Sequence, residues 1–329
     1  MAGTAKSIHA GSSAYVSYGY ESVFGGGGSK SLLFGKEQKA NSLEFQNSQQ
    51  PLGQLYEIEV QDYLYKKNFG GCTMEYILSN PWIFASILND PFFEDLTPNK
   101  HTFYSDPDNE DVQTSTRNIS SLNLEIWQEG QTGNIMRNAK GVICPSMNIK
   151  TSIDAPVSVS QQLTWGIEDD IATMIGSVPT EVFTPYAFVH GSIELIDGGG
   201  TIANVQEIDI TLNTGAELIY GIDNTPDAVG AFRKLLNMTG KITIALIDKT
   251  NVERVMARTE VANMRVVFSN GLANDLEKSI DMLFTGIGMS RHGSQGVAPG
   301  ELLTEIVDFQ CRTLVVEARN DTTEQTTQW

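Results

Sequence analysis

Apolar and polar residues alternate in short runs along almost the whole chain. The clearest run covers residues 72–78, in which Met74, Tyr76 and Leu78 fall on one face, as a half-buried strand requires. Runs of the same kind cover 42–45, 56–60, 122–127, 142–149, 157–165 and 188–196, then 208–212, 218–222, 242–246, 264–268 and 306–316. Each is rich in β-branched or aromatic residues and is bounded by Gly, Asn, Asp or Pro, the residues that break strands. Three stretches, 81–88, 225–236 and 250–258, read as helices. The first has Asn80 placed to cap it and Pro81 at the first helical position. The pattern predicts a mainly β, largely antiparallel fold of sandwich or barrel modules with a few flanking helices.

The alternation also repeats. Cys72, Met74 and Tyr76 stand 170 positions before Ile242, Ile244 and Leu246 (242 − 72 = 170), and Gly70 stands the same distance before Gly240. A helical stretch follows each strand at once. Residues 42–45 match 207–210 upstream, and 122–127 match 264–269 downstream. This order predicts a duplicated β module. The boundary falls within 169–185, where acidic residues, Gly176, Pro179 and Pro185 read as a linker, dividing the chain into modules 1–175 and 176–329. The halves differ at 89–118, a long polar segment with Pro91, Pro98 and Pro107 and the acidic cluster Asp106, Asp108, Glu110 and Asp111. Loops of that length in compact domains are commonly functional or disordered. Its aromatic residues Phe92, Phe93, Phe103 and Tyr104 point to an arm that lies on a neighbouring subunit and orders on assembly.

Charge narrows the function classes. Forty acidic against 22 basic residues give a net charge of −18, and no Lys/Arg cluster offers the counterion-releasing surface that grips nucleic acid. No run approaches the roughly 18 apolar residues of a membrane span. The N-terminal stretch lacks the basic and apolar regions of a secretory signal, so folding inside the producing cell is expected. Cys72, Cys144 and Cys311 form no CxxC pair and read as reduced, buried hydrophobes. His9, His101, His190 and His292 form no zinc pattern. The run 25–31 (GGGGSKS) superficially resembles a phosphate loop, but Ser29 separates the glycines from Lys30 and no strand precedes it, so it reads as a turn or linker. Gly198, Gly199 and Gly200 read as a hairpin turn, and Glu168-Asp169-Asp170 as a solvated acidic turn rather than a cation site. Asn118, Asn237 and Asn320 begin chance glycosylation tripeptides. No nucleophile–base arrangement is visible, and neither an enzyme nor a cofactor is expected.

Two motifs carry a family resemblance. Tyr18-Gly19-Tyr20-Glu21-Ser22-Val23-Phe24-Gly25 precedes residues 70–82, GGCTMEYILSNPW. In this order near the N-terminus the pair resembles the major tail tube proteins of long-tailed viruses of bacteria and archaea. The resemblance implies a structural subunit, made in the host cytoplasm and resident in the virion tail. Such subunits self-assemble into stacked rings whose sheets join as a continuous inner β-barrel, through which the genome passes without specific binding. The implied partners are further copies of the chain and other tail proteins, such as the tape measure, terminator and baseplate or distal tail proteins; no membrane is involved. Duplication would convert six-fold rings of single modules into rings of three chains. Combined with the net charge, the resemblance implies an acidic channel wall, with Glu44, Glu75, Glu194 and Asp209 as candidate lining residues. The alternative is a β-sandwich binding or receptor-recognition module of a viral tail.

Overall fold

The structure, a computed structural model, describes residues 14–27, 32–52, 62–88, 92–94, 99–105, 120–128, 135–172, 185–195, 200–201, 205–222, 225–245, 260–271, 278–295 and 304–320. The first half of the chain forms β1 (Ala14–Tyr20), β2 (Leu32–Leu33), β3 (Lys36–Leu52), β4 (Asp62–Ile77), β5 (Phe92–Glu94), β6 (Asn99–Tyr104), β7 (Leu122–Gln128), β8 (Ile135–Ser152), β9 (Ser158–Trp165) and β10 (Ile167–Ala172). The second half forms β11 (Ala187–Leu195), β12 (Gly200–Thr201), β13 (Val205–Asn213), β14 (Glu217–Tyr220), β15 (Ala228–Phe232), β16 (Asn237–Ala245), β17 (Val261–Ser269), β18 (Ser279–Gln295), β19 (Thr304–Cys311) and β20 (Thr313–Asn320). Strand pairing is antiparallel throughout, as the alternation predicts.

Two long strands organise the rest. β8 pairs with β7 and β10 up to Val142, then with β9 and β13 from Ile143 onward. β18 pairs with β17 and β20 up to Ile287, then with β19 from Gly288. Each therefore leaves one sheet and enters another. A glycine with left-handed backbone sits at each change, Gly141 at φ 60° and Gly286 at φ 65°, a conformation that costs a residue with a Cβ. The pairings of β1, β3, β4, β7, β8, β9 and β10 recur one for one in β11, β13, β16, β17, β18, β19 and β20. One further detail recurs. Gly70 of β4 lies opposite Trp165 of β9, and Gly240 of β16 lies opposite Phe309 of β19. In both pairs a Cβ on the glycine would come within 2.2 Å of the ring, so the glycine leaves the space that the aromatic side chain fills.

The result is one eight-stranded sheet, in the order β3-β4-β9-β8-β13-β16-β19-β18, with two smaller sheets folded over from it. One is β2-β1-β7-β8-β10; the other is β12-β11-β17-β18-β20-β6-β5. A single apolar cluster joins them, including Tyr18, Met74, Trp82, Leu124, Ile149, Trp165, Ile210, Phe268 and Phe284. Such burial is the main favourable term in folding.

Several sequence expectations need correction. The helix at 81–88 is a 3-10 turn, Trp82–Ser86, with Pro81 at the cap. Asn80 does not cap it, because its side chain is committed elsewhere: its amide donates to Leu33 O and its oxygen accepts from the Tyr18 hydroxyl. Residues 225–236 form no helix; β15 pairs with β14 as a hairpin. Residues 306–316 are two strands in different sheets, separated at Arg312. β10 extends to Ala172 into the expected linker. The expected strand 56–60, the expected helix 250–258 and the expected boundary at 175/176 lie outside the described residues.

The crossing glycine gives a direct test. A Cβ on Gly141 would combine a left-handed backbone with an approach of 2.6 Å to the Phe24 ring. Gly141→Ala is expected to destabilise the subunit by about 2 kcal/mol or more, read as a lower midpoint in denaturant unfolding. Gly288→Ala, where an added Cβ meets nothing within 4 Å, should leave the midpoint nearly unchanged or slightly raised.

Candidate assembly interface

The eight-stranded sheet is two-faced. Cys72, Met74, Val159, Leu163, Ile149, Ile208, Ile210, Ile242 and Phe309 point into the core. The alternate positions present a polar face. Cross-strand registers set Lys150 opposite Asp209, Asp209 opposite Lys241, and Lys241 opposite Asp308, a row of alternating charge over four strands. On the same face Lys39 faces Glu75 (3.7 Å), and Lys150 pairs with Glu207 (2.7 Å), which pushes the Lys150 ammonium pKa up. These pairs are largely exposed, so they contribute little stability; they define the chemistry of the surface.

Three of the four candidate lining residues share this face. Glu44 is exposed on β3 and accepts from the Gln46 amide (3.0 Å), Glu75 projects from β4, and Asp209 accepts from the Asn148 amide (2.5 Å). Glu194 does not join them. It lies on β11 in a different sheet, opposite Arg265. The four aromatic candidates separate likewise. Phe103 is fully buried in the chain's own core against Phe84, with ring centroids 6.1 Å apart, so its side chain is not available to a neighbour. β6, which carries Phe103 and Tyr104, is paired with β20; β5, with Phe92 and Phe93, is paired with β6. This part of the expected arm is sheet within the subunit, and residues 106–118 lie outside the described residues.

Among the described residues both ends of the eight-stranded sheet are open: β3 pairs only with β4, and the 288–295 part of β18 pairs only with β19. Open edges are normally protected because they template pairing with another chain. β3 carries partial protection: Glu37 and Ser42 have φ of 54°, and its register shifts three times, between Lys36 and Lys39, between Asn41 and Glu44 and between Asn47 and Gln49. Between the last two irregularities, residues 44–47 form one regular stretch of that edge.

A second exposed surface was missed by sequence reading. The β14–β15 hairpin leaves the sheet where β13 ends and β16 begins, and is fastened to β4. The Tyr220 hydroxyl donates to Asn68 O (2.6 Å), and the Asn68 amide donates to Asp227 (2.7 Å). This segment also exposes Ile219, Ile222, Val229, Phe232 and Leu235. The exposed Ile153 sits beyond the other end of the sheet, in the turn after β8.

The two motifs of the N-terminal half meet in space. The Tyr20 hydroxyl donates to Trp82 O (2.5 Å), and Tyr18 and Asn80 are hydrogen bonded as above. Between them Glu21 is held by backbone: its carboxylate accepts from the N–H groups of Gly25 (2.9 Å), Gly27 (3.3 Å) and Gly141 (3.1 Å), and from the Ser121 hydroxyl (2.7 Å). Gly25 and Gly27 have φ of 71° and 75°, forming a concave nest of donors suited to an anion. Here the anion is the chain's own Glu21, tied to the Gly141 crossing. The profile of the family described as phage tail tube protein matches residues 11–296. The chain belongs to the phage tail tube protein family. As a tail tube protein it is a structural component of a viral tail. No curated protein matches the chain.

The tail tube subunit shows no metal-ligating cluster among its described residues. The solvated acidic turn expected at 168–170 is instead part of strand β10: Glu168 forms a two-point pair with Arg137 (2.5 and 2.9 Å) and Asp169 pairs with Lys140 (2.7 Å), so these two carboxylates are neutralised within the fold. Burial pushes the thiols of Cys72, Cys144 and Cys311 up to about 12. Almost no thiolate, the reactive form, is present at pH 8. A chromogenic disulfide reagent at pH 8 should therefore react slowly with the folded subunit and with all three cysteines once it is unfolded. Rapid reaction of the native protein would contradict the burial.

Proposed function

We propose that this tail tube protein forms rings of three chains, and that the rings stack into the conduit for genome delivery. The carrying observation is the eight-stranded sheet, which is apolar on one face, polar on the other and, among the described residues, open at both edges. β3 of one subunit meets β18 of the next, so the sheets run on into a barrel whose polar face lines the channel. The contact is heterologous, joining different edges, and such contacts close into rings when the rotation permits. The recurrent strand pairings support reading the chain as two tube modules, divided near 175/176. Three chains then supply six modules. The subunit is made in the host cytoplasm and meets the other tail proteins, including tape measure, terminator and baseplate proteins, at the ends of the stack.

The proposed wall carries paired rather than uniform charge. Glu44, Glu75, Glu207, Asp209 and Asp308 are interleaved with Lys39, Lys150 and Lys241. A lysine already facing a carboxylate is a poor phosphate ligand, so DNA passes with a counterion and water layer between it and the wall, screened over roughly 8 Å at physiological salt. Glu194 has no place on this wall; Phe92, Phe93 and Tyr104 remain interface candidates outside it.

Stacking needs a surface at each rim. The exposed apolar residues of the β14–β15 hairpin serve at one rim, and the turn bearing Ile153 at the other.

Light scattering and image symmetry of isolated rings test the first proposal. Three chains per ring are expected, and six chains of this length would overturn it. Changing Ile222→Asp together with Leu235→Asp should leave rings intact but abolish long tubes in negative-stain images. Tubes of ordinary length would remove the hairpin from the stacking contact.

A further inference from the structure

The chain already contains one junction between an edge of the β8 kind and an edge of the β3 kind. β8 and β13 pair with Ile149 opposite Ile210, over residues 146–152 and 207–213. On the polar face of that seam the Asn148 amide donates to Asp209 (2.5 Å) and to the Thr211 hydroxyl (3.0 Å). Strand registers transfer this junction to the open edges. Phe45 faces Gly70 as Ile210 faces Gly240, so Glu44 takes the place of Asp209 and Gln46 that of Thr211. Asn148 faces Ser160, five residues before Trp165; Gln295 faces Thr304, five before Phe309. Gln295 therefore takes the place of Asn148.

The chemistry is preserved along with the positions. An amide replaces an amide (Asn148, Gln295), and a carboxylate replaces a carboxylate (Asp209, Glu44). Glu44 and Gln46 are both exposed in the subunit, leaving Glu44 open to a new donor. They also lie in the stretch between the second and third of the three register irregularities of β3. A strand can add there without meeting a bulge, which limits the alternative registers.

We propose that neighbouring subunits join by a copy of the internal seam, with β18 against β3 and position 295 opposite Gln46, diagonal to Glu44. This rests on the ring reading above and specifies its contact. The partner is a second copy of the chain, and the register is fixed.

The test is a pair of cysteines, Gln46→Cys with Gln295→Cys, in the full chain under mild oxidation. Directly opposed residues in an antiparallel pair have Cα atoms about 4.5–5.5 Å apart, within disulfide reach. Gln46→Cys with Ser290→Cys, five positions out of register, is the control. Cross-linked multimers closing at the ring size are expected from the first pair and not from the second. Charge gives an independent reading: Gln295→Glu alone sets two carboxylates together, and should raise the concentration needed for ring formation at least about tenfold. Adding Glu44→Lys to it should restore assembly. If the wild-type chain forms rings but the first double variant forms no disulfide between positions 46 and 295, or if linkage prefers the displaced pair, the register is overturned and the ring reading stands. Failure of the wild-type chain to form rings would remove both.

Discussion

A strand that must serve two sheets is the constraint on which the subunit depends. β8 and β18 pair on both sides of a crossing, and a regular extended backbone cannot turn out of one sheet into another without a local break. Gly141 and Gly286 supply that break by taking left-handed φ. The Gly141 crossing is secured further, since its N–H donates to Glu21, whose carboxylate also gathers Gly25, Gly27 and Ser121. The N-terminal motif is thus a fastening: its aromatic residues fill the core near the 3-10 turn, and its acid closes the loop over the crossing. The glycines around it serve the fold rather than a phosphate.

Much of the strand content was legible because burial is one-sided. Where one face meets the core and the other meets solvent, the period of two survives in the sequence, as in β4, β9 and β13. β18 was missed although Ile280, Met282 and Phe284 alternate, because Gly286, Gly288 and Gly293 interrupt its second half. Those interruptions belong to the crossing and to the open edge. β15 was read as helix because Ala228, Phe232 and Leu236 are spaced four apart. Pairing with β14 overrides that spacing, and the hairpin's Ile219, Val229 and Phe232 face solvent rather than core. Phe103 looked like an interface residue because its neighbourhood is polar and rich in Pro, yet β6 is held by β20 and packs the ring inward.

The candidate site was less legible for a related reason. A face is a property of several strands in register, and Lys150, Asp209, Lys241 and Asp308 are far apart in sequence. Only the registers reveal that they form one row of alternating sign. Net charge, summed over the molecule, gave no hint that lysines would be interleaved with the carboxylates on this face. Glu194 is the same lesson in reverse: strand location made it a candidate, and the sheet to which its strand belongs separates it from the others.

In rings built as proposed, the internal β8–β13 seam would alter the kinetics of assembly. It closes within one polypeptide, so it forms as a folding step whose rate is independent of protein concentration. In a ring built as proposed, only the joints between chains depend on concentration, and tethering gives the internal joints a high effective concentration. Half of the ring's joints are thus in place before two chains collide, which favours fast closure over open intermediates. Under the two-module reading, joining the modules in one chain also frees them from being identical. β5, β6, β14 and β15 have no counterpart in the opposite half among the described residues. In a ring of three chains as proposed, an outer or rim feature built on them would appear once per chain, giving the tube exterior a lower rotational symmetry than its bore.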